Sequence, residues 1–224
     1  MTTAKSKETH STYDKVFSSL FSVQGDRSNE KYQVALNKLG LGVLVDFRSI
    51  EENCSEVLQA EGGGLKRGPE SSFVVDVPGK GDCWLIALLT PILGFKIAAN
   101  DERGIIKHIR LRLSEIVVEN ATSFEDVFEG RQEELLQWSK KVKSPGTWGG
   151  DTEMEIFSRI TGLVIHVLNC EHPNLEGLRH FLPRRLHDES AEDSWSASVV
   201  VEYGFRHYKA VIPSRFLVII LFMY

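Results

Sequence analysis

The run Gly79-Lys80-Gly81-Asp82-Cys83-Trp84 leads directly into the apolar stretch Leu85-Ile86-Ala87-Leu88-Leu89. Cys83 therefore falls at the expected first turn of a buried helix. Unpaired N–H groups and the macrodipole favour an anion there, which lowers a thiol's pKa and makes it a better nucleophile. Gly79 and Gly81 let the preceding chain bend sharply and come close to a substrate. Backbone N–H groups of Lys80, Gly81, Asp82 and Cys83 could then face the oxyanion of an acyl-transfer reaction. Asp82 is placed to cap the helix. The same residues also suit a small buried hydrophobe after a glycine turn, so this stretch alone leaves both readings open.

A nucleophilic thiol needs a base, usually a histidine supplied from far along the chain. Of seven histidines, His10 is in a polar N-terminal segment, and His108 is on a charged helix flank. His172, His180 and His187 fall in a polar excursion, and His166 is inside an apolar strand, where a hydrogen-bonded core histidine is expected. His207 differs. It follows a Gly-Phe-Arg turn, begins a late strand, and precedes the aromatic Tyr208.

These groups need a fold to bring them together. The chain has 224 residues, 42% hydrophobic and 25% charged, which suits one globular domain with a core. A net charge of -5 gives no electrostatic case for nucleic acid, which calls for a basic stripe. Three cysteines, Cys54, Cys83 and Cys170, are too few and odd for a disulfide framework, so a reducing, cytoplasmic setting is expected. No CxxC pair occurs and the histidines lack ligand spacing, so neither a metal nor another cofactor is expected. The triplet Gly62-Gly63-Gly64 precedes no GxxxxGK[ST], so it reads as a connector rather than a phosphate loop. The N-terminus has no signal-peptide apolar core. The apolar end from Phe216 to Tyr224 is about half a membrane span. It fits a last core strand, a misread gene end or a peripheral anchor.

Residues 1–12 read as a disordered tail and 13–64 as an N-terminal helical region. In the latter, Val34, Leu36 and Leu39 recur at near-helical spacing, and a helix over 46–60 gives Cys54 a packing role. Phe73–Val77 reads as a strand ending at Pro78, and Trp84 to about Leu93 as the apolar helix. Residues 102–119 and 124–138 read as two amphipathic helices. After the loop Pro145–Asp151 comes a helix over 152–161, closed by Gly162. Strands are then expected over 163–168, 197–203 and 205–212, the first two separated by a polar excursion over 170–196. Helices first and strands later predict an α+β domain.

Three blocks in this order resemble the ovarian tumour (OTU) domain cysteine proteases. Gly79–Trp84 is similar to their D-G-[DN]-C-aromatic motif. Trp148-Gly149-Gly150-Asp151-Thr152-Glu153-Met154, with the strand after it, resembles their W-G-G-x-x-E-[IL] segment, and His207-Tyr208 their late H-Y pair. The resemblance spans roughly 70–213, leaving 214–224 unassigned. It implies a papain-like α+β fold: a small central sheet flanked by helices, the cysteine at a helix N-terminus and the histidine on a late strand. It further implies a monomeric deubiquitinase acting on ubiquitin or a ubiquitin-like protein. Cys83 would be its nucleophile and His207 its general base, with Trp148, Gly149, Gly150 and Tyr208 at the substrate.

Two positions depart from that pattern. The family commonly carries an acid three residues before the nucleophile and an acid or amide two residues after the histidine. This chain has Lys80 and Lys209 there. A lysine repels an imidazolium, so the resemblance leaves two alternatives: an acid from the loop before the cysteine, as in some family members, or a bare Cys/His dyad. Asp76 is the first substitute and Asp82 the second. The lysines also keep open a catalytically weak or inactive ubiquitin-binding module of the same fold.

Overall fold

The computed structural model describes residues 28–41, 66–67, 72–93, 97, 101, 104–171, 178–183 and 197–213. The expected tail, the helix bearing Cys54, the glycine triplet and the apolar end lie outside these residues. In chain order the elements are α1 (Ser28–Lys38), β1 (Lys66–Arg67), β2 (Ser72–Val75), α2 (Cys83–Leu93) and α3 (Ile105–Glu119). A 3₁₀ turn (Ala121–Phe124), α4 (Gln132–Val142), α5 (Asp151–Thr161), β3 (Val164–Asn169), β4 (Leu178–Phe181), β5 (Ser198–Gly204) and β6 (His207–Pro213) follow. The protein is α+β, with sheet order β1-β2-β6-β5-β3-β4. All pairings are antiparallel except β3 with β5.

Every residue of α2 is buried, which explains why its sequence is apolar all round rather than on one stripe. It packs along β6 and β5. Each of its large aliphatic side chains contributes about 1.5–3 kcal/mol by leaving water, so this helix is the anchor of the core. Thr90, midway along it, satisfies its hydroxyl by donating to the Ile86 carbonyl at 2.7 Å. Around α2 stand α3, with Ile105, Ile106, Ile109, Leu113, Ile116 and Val117 inward, and α5, with Met154, Phe157 and Ile160 inward. Both faces match the sequence periodicity.

Helix α1 joins the same core through Tyr32, Ala35, Leu36 and Leu39, while Val34, one of the residues at near-helical spacing, is 52% exposed. Tyr32 donates its hydroxyl to the Ser198 carbonyl at 2.8 Å, tying α1 to the start of β5. The expected helix over 124–138 is broken. Glu129 and Gly130 both adopt positive φ, and α4 starts only at Gln132. The displaced segment is pinned by Arg159 of α5, whose guanidinium donates to both Asp126 carboxylate oxygens at 2.7 Å. The polar excursion after β3 contains a strand that alternation did not reveal, β4, paired with β3. Among the described residues, no helix is long and apolar enough to cross a membrane.

Candidate active site

Cys83 is the first residue of α2 and is fully buried. The Asp82 carbonyl accepts the N–H groups of Leu85 and Ile86 at 3.1 and 3.0 Å, so Asp82 starts the helix through its backbone. Lys80 and Gly81 both take left-handed conformations, φ 66 and 86. The second must be glycine, because a Cβ there would fall 1.7 Å from the Gly146 carbonyl oxygen. The turn before the cysteine and the turn before Trp148 are therefore packed backbone to backbone.

The thiol does not follow the expectation set by a helix N-terminus. Burial pushes the Cys83 pKa above its ordinary value of 9.0. The N–H groups of Tyr208, Trp84 and Cys83 itself pull it down, and the Asp82 carboxylate adds to the rise. Desolvation outweighs the helix N-terminus, so the resting state is a neutral thiol. Accordingly, the thiolate absorbance at about 240 nm, taken as wild type minus Cys83→Ala, should titrate with its midpoint above the ordinary thiol value of 9.0. Absorbance already complete at pH 7 would indicate a preformed thiolate.

The Tyr208 contact brings β6 to the sulfur. Its neighbour His207 opens β6, opposite Gly204. The His207 Nε2 lies 2.9 Å from Asp76 Oδ1, in the segment between β2 and the cysteine turn. With its proton on Nε2, shared with Asp76, the ring carries its lone pair on Nδ1. That edge lies toward the cysteine turn: a Cβ at Gly79 would sit 3.9 Å from both His207 Nδ1 and Cε1. The three elements thus converge, with Asp76 on one ring nitrogen and the turn into Cys83 beside the other.

The remaining residues fall as follows. Lys209 donates to Glu202 Oε1 across β5 and β6 at 3.4 Å, which engages its charge away from the Asp76 contact. Asp82 turns its carboxylate to Arg110 and to the Gly146 N–H, at 2.8 Å and 3.2 Å, while His207 takes Asp76 as its carboxylate partner. Trp148 is 52% exposed. Gly149 lies on the Trp84 indole, where a Cβ would be 2.5 Å from Cγ. The Gly150 N–H donates to Glu153 Oε2 at 2.7 Å, and Trp138 Nε1 donates to the other oxygen at 2.9 Å. Tyr208, expected at the substrate, has its ring buried against Tyr203, centroids 4.8 Å apart, and its backbone N–H meets the sulfur. Sequence reasoning passed over Arg110 and Glu153 as organisers. Among the described residues no cluster of His, Cys, Asp or Glu is able to hold a metal ion.

The family model "OTU-like cysteine protease" matches residues 78–209. Among solved structures, the OTUD1 OTU domain is 17% identical; the match covers 72% of this chain and 94% of that one, with a TM-score of 0.46. An ovarian tumour domain in complex with ubiquitin is 18% identical, covering 69% and 75%, with a TM-score of 0.46. An OTU deubiquitinase from Wolbachia pipientis wMel is 16% identical, covering 66% and 92%, with a TM-score of 0.43. No curated protein sequence matches the chain.

Proposed function

This chain belongs to the OTU-like cysteine protease family and has its α+β fold, and on that premise we propose that it is a thiol isopeptidase cleaving conjugates of ubiquitin or a ubiquitin-like protein. In this reading Cys83 Sγ passes its proton to His207 Nδ1 as it attacks the carbonyl joining the modifier's C-terminal glycine to a lysine amine. The carbonyl electrons move onto oxygen, where N–H groups of the turn Lys80-Gly81-Asp82 and of Cys83 stabilise them. Collapse breaks the C–N bond, and the amine leaves with the proton from His207. The thioester left on Cys83 is then attacked by water, which His207 deprotonates, releasing the carboxylate and restoring the thiol.

Asp76 keeps the imidazole in the tautomer that accepts at Nδ1 and stabilises its charged form. The exposed Trp148, with Gly149 and Gly150, lines the channel for the modifier's glycine tail. The observation that carries this reading is the 2.9 Å contact between His207 and Asp76. It supplies the acid that Lys80 and Lys209 do not. A neutral thiol at rest is compatible, because the proton leaves Cys83 during attack rather than before it.

The raised thiol pKa favours a second reading, a ubiquitin-binding module that does not cut. Incubation with lysine-linked ubiquitin dimers separates the two. The protease reading expects monomeric ubiquitin from wild type and none from Cys83→Ala. Dimers that are bound and left intact by wild type would overturn it in favour of the binding module.

A further inference from the structure

Arg110 of α3 has a side chain with no solvent exposure. A buried guanidinium is costly unless its donors are met, and here they are met by backbone and side chain of the two turns beside Cys83. Its Nε donates to Asp82 Oδ1 at 2.8 Å. One terminal nitrogen donates to the Thr147 carbonyl at 2.8 Å and to the Gly81 carbonyl at 3.3 Å. The other donates to the Val142 carbonyl at 3.0 Å. The Asp82 carboxylate in turn accepts the Gly146 N–H at 3.2 Å. The guanidinium also lies over the Trp84 ring, 5.6 Å from its centroid, and Trp84 Nε1 donates to the Thr147 carbonyl at 3.3 Å.

We infer that Arg110 and Asp82 form a positioning pair that fixes the peptide groups of the turn before Cys83, so that their N–H groups meet the oxyanion. This rests on the protease reading. Orienting the Gly81 carbonyl sets the plane of the Gly81–Asp82 peptide, whose N–H points the opposite way. The same guanidinium holds Thr147, so the turn before Trp148 keeps register with it. No lysine reproduces this, because one ammonium cannot reach four acceptors spread over 81–82, 142 and 147 in the planar fork that arginine offers. The pair acts chiefly on oxyanion binding, because the Asp82 carboxylate is the smallest of the influences on the Cys83 pKa, and sulfur nucleophilicity rests with His207.

The test compares two reactions of the full chain that share Cys83 but differ in the oxyanion. Hydrolysis of a fluorogenic C-terminal amide of ubiquitin passes through a tetrahedral oxyanion. Addition of the thiol to ubiquitin propargylamide forms a vinyl thioether with none. In Asp82→Ala, kcat for the amide should fall about 10²-fold, the scale of one lost oxyanion donor, with KM within about threefold, as expected when only a transition-state interaction is lost. Propargylamide labelling should stay within threefold of wild type, and Asp82→Asn should recover part of kcat. Arg110→Lys should show the same split. Thermal unfolding reports whether each variant keeps its fold, and Asp82→Asn, whose amide oxygen still accepts from the buried Arg110, keeps the comparison available where Asp82→Ala or the lysine variant does not. Equal losses in both reactions, or no loss in either, overturn the inference. A wild type that neither hydrolyses nor labels overturns the protease reading itself.

Discussion

Asp76→Ala should lower kcat for ubiquitin-amide hydrolysis about 10- to 10²-fold, with KM little changed, while leaving the fold intact. The aspartate of a buried Ser-His-Asp triad is worth about 10⁴-fold. Asp76 has a side chain 73% exposed, so water can replace part of its hydrogen bond and screen its charge. The loss should therefore stop short of the buried case. Asp76→Asn should retain more activity than Asp76→Ala, because an amide oxygen can still accept from His207 Nε2. Replacing Lys209, engaged with Glu202, should change kcat far less. An Asp76→Ala enzyme with unchanged kcat would remove Asp76 from the site.

A second large effect lies away from the cysteine, on β3. His166 faces His180 across the β3–β4 pair, Nδ1 to Nδ1 at 2.7 Å. Burial, reinforced by the neighbouring His180, lowers the His166 pKa from 6.5 to about 4. The unfolded chain thus takes up a proton at this residue near pH 6.5, and the folded chain only near pH 4. Stability from the neutral ring is complete above pH 6.5, falls as pH drops below it, and is lost near pH 4. The shift corresponds to about 3 kcal/mol in full, of which about 2 kcal/mol should be gone by pH 5. Urea unfolding at pH 7.5 and 5 should show this loss in wild type. His166→Phe, which cannot titrate, should lose much less between the same two pH values. An equal loss in both proteins would place the acid sensitivity elsewhere.

The contrast between these two sites shows what can be read from one chain and what cannot. The turn before Cys83 and the helix after it announce themselves through residue type, while Cys83 reads as a nucleophile only with the two later blocks. The turn needs glycines, and the helix needs continuous apolar residues to be buried on all sides. The inward faces of α3 and α5 follow from helical period for the same reason. The observed α+β order of helices before most strands was likewise legible, and so was the family, from three short blocks.

What was not legible depends on pairing at a distance. Arg110, on the apolar-striped α3, looks from sequence like any charge on a solvated flank. Its acceptors at 81–82, 142 and 147 are set by folding. Strand β4 was hidden in a polar stretch because only Phe181 of its four residues is buried. The break before α4 comes from Glu129 and Gly130 at positive φ, with Arg159 of α5 holding the segment between. The pKa of Cys83 was read with the wrong sign because a helix N-terminus is visible in sequence, while the depth of burial that outweighs it is not. Asp76 could be offered only as a substitute acid, since its partner stands at the far side of the sheet's chain order, on β6.

The central claim is that Cys83 is a nucleophile that accepts a ubiquitin tail. Its most direct test is the intact mass of the wild-type chain after exposure to ubiquitin carrying a C-terminal propargylamide, followed by mapping of the modified peptide. The account predicts a single adduct on Cys83, absent from Cys83→Ala and strongly reduced in His207→Ala. A wild type that binds this ubiquitin without forming an adduct, or carries it on Cys54 or Cys170, would contradict it.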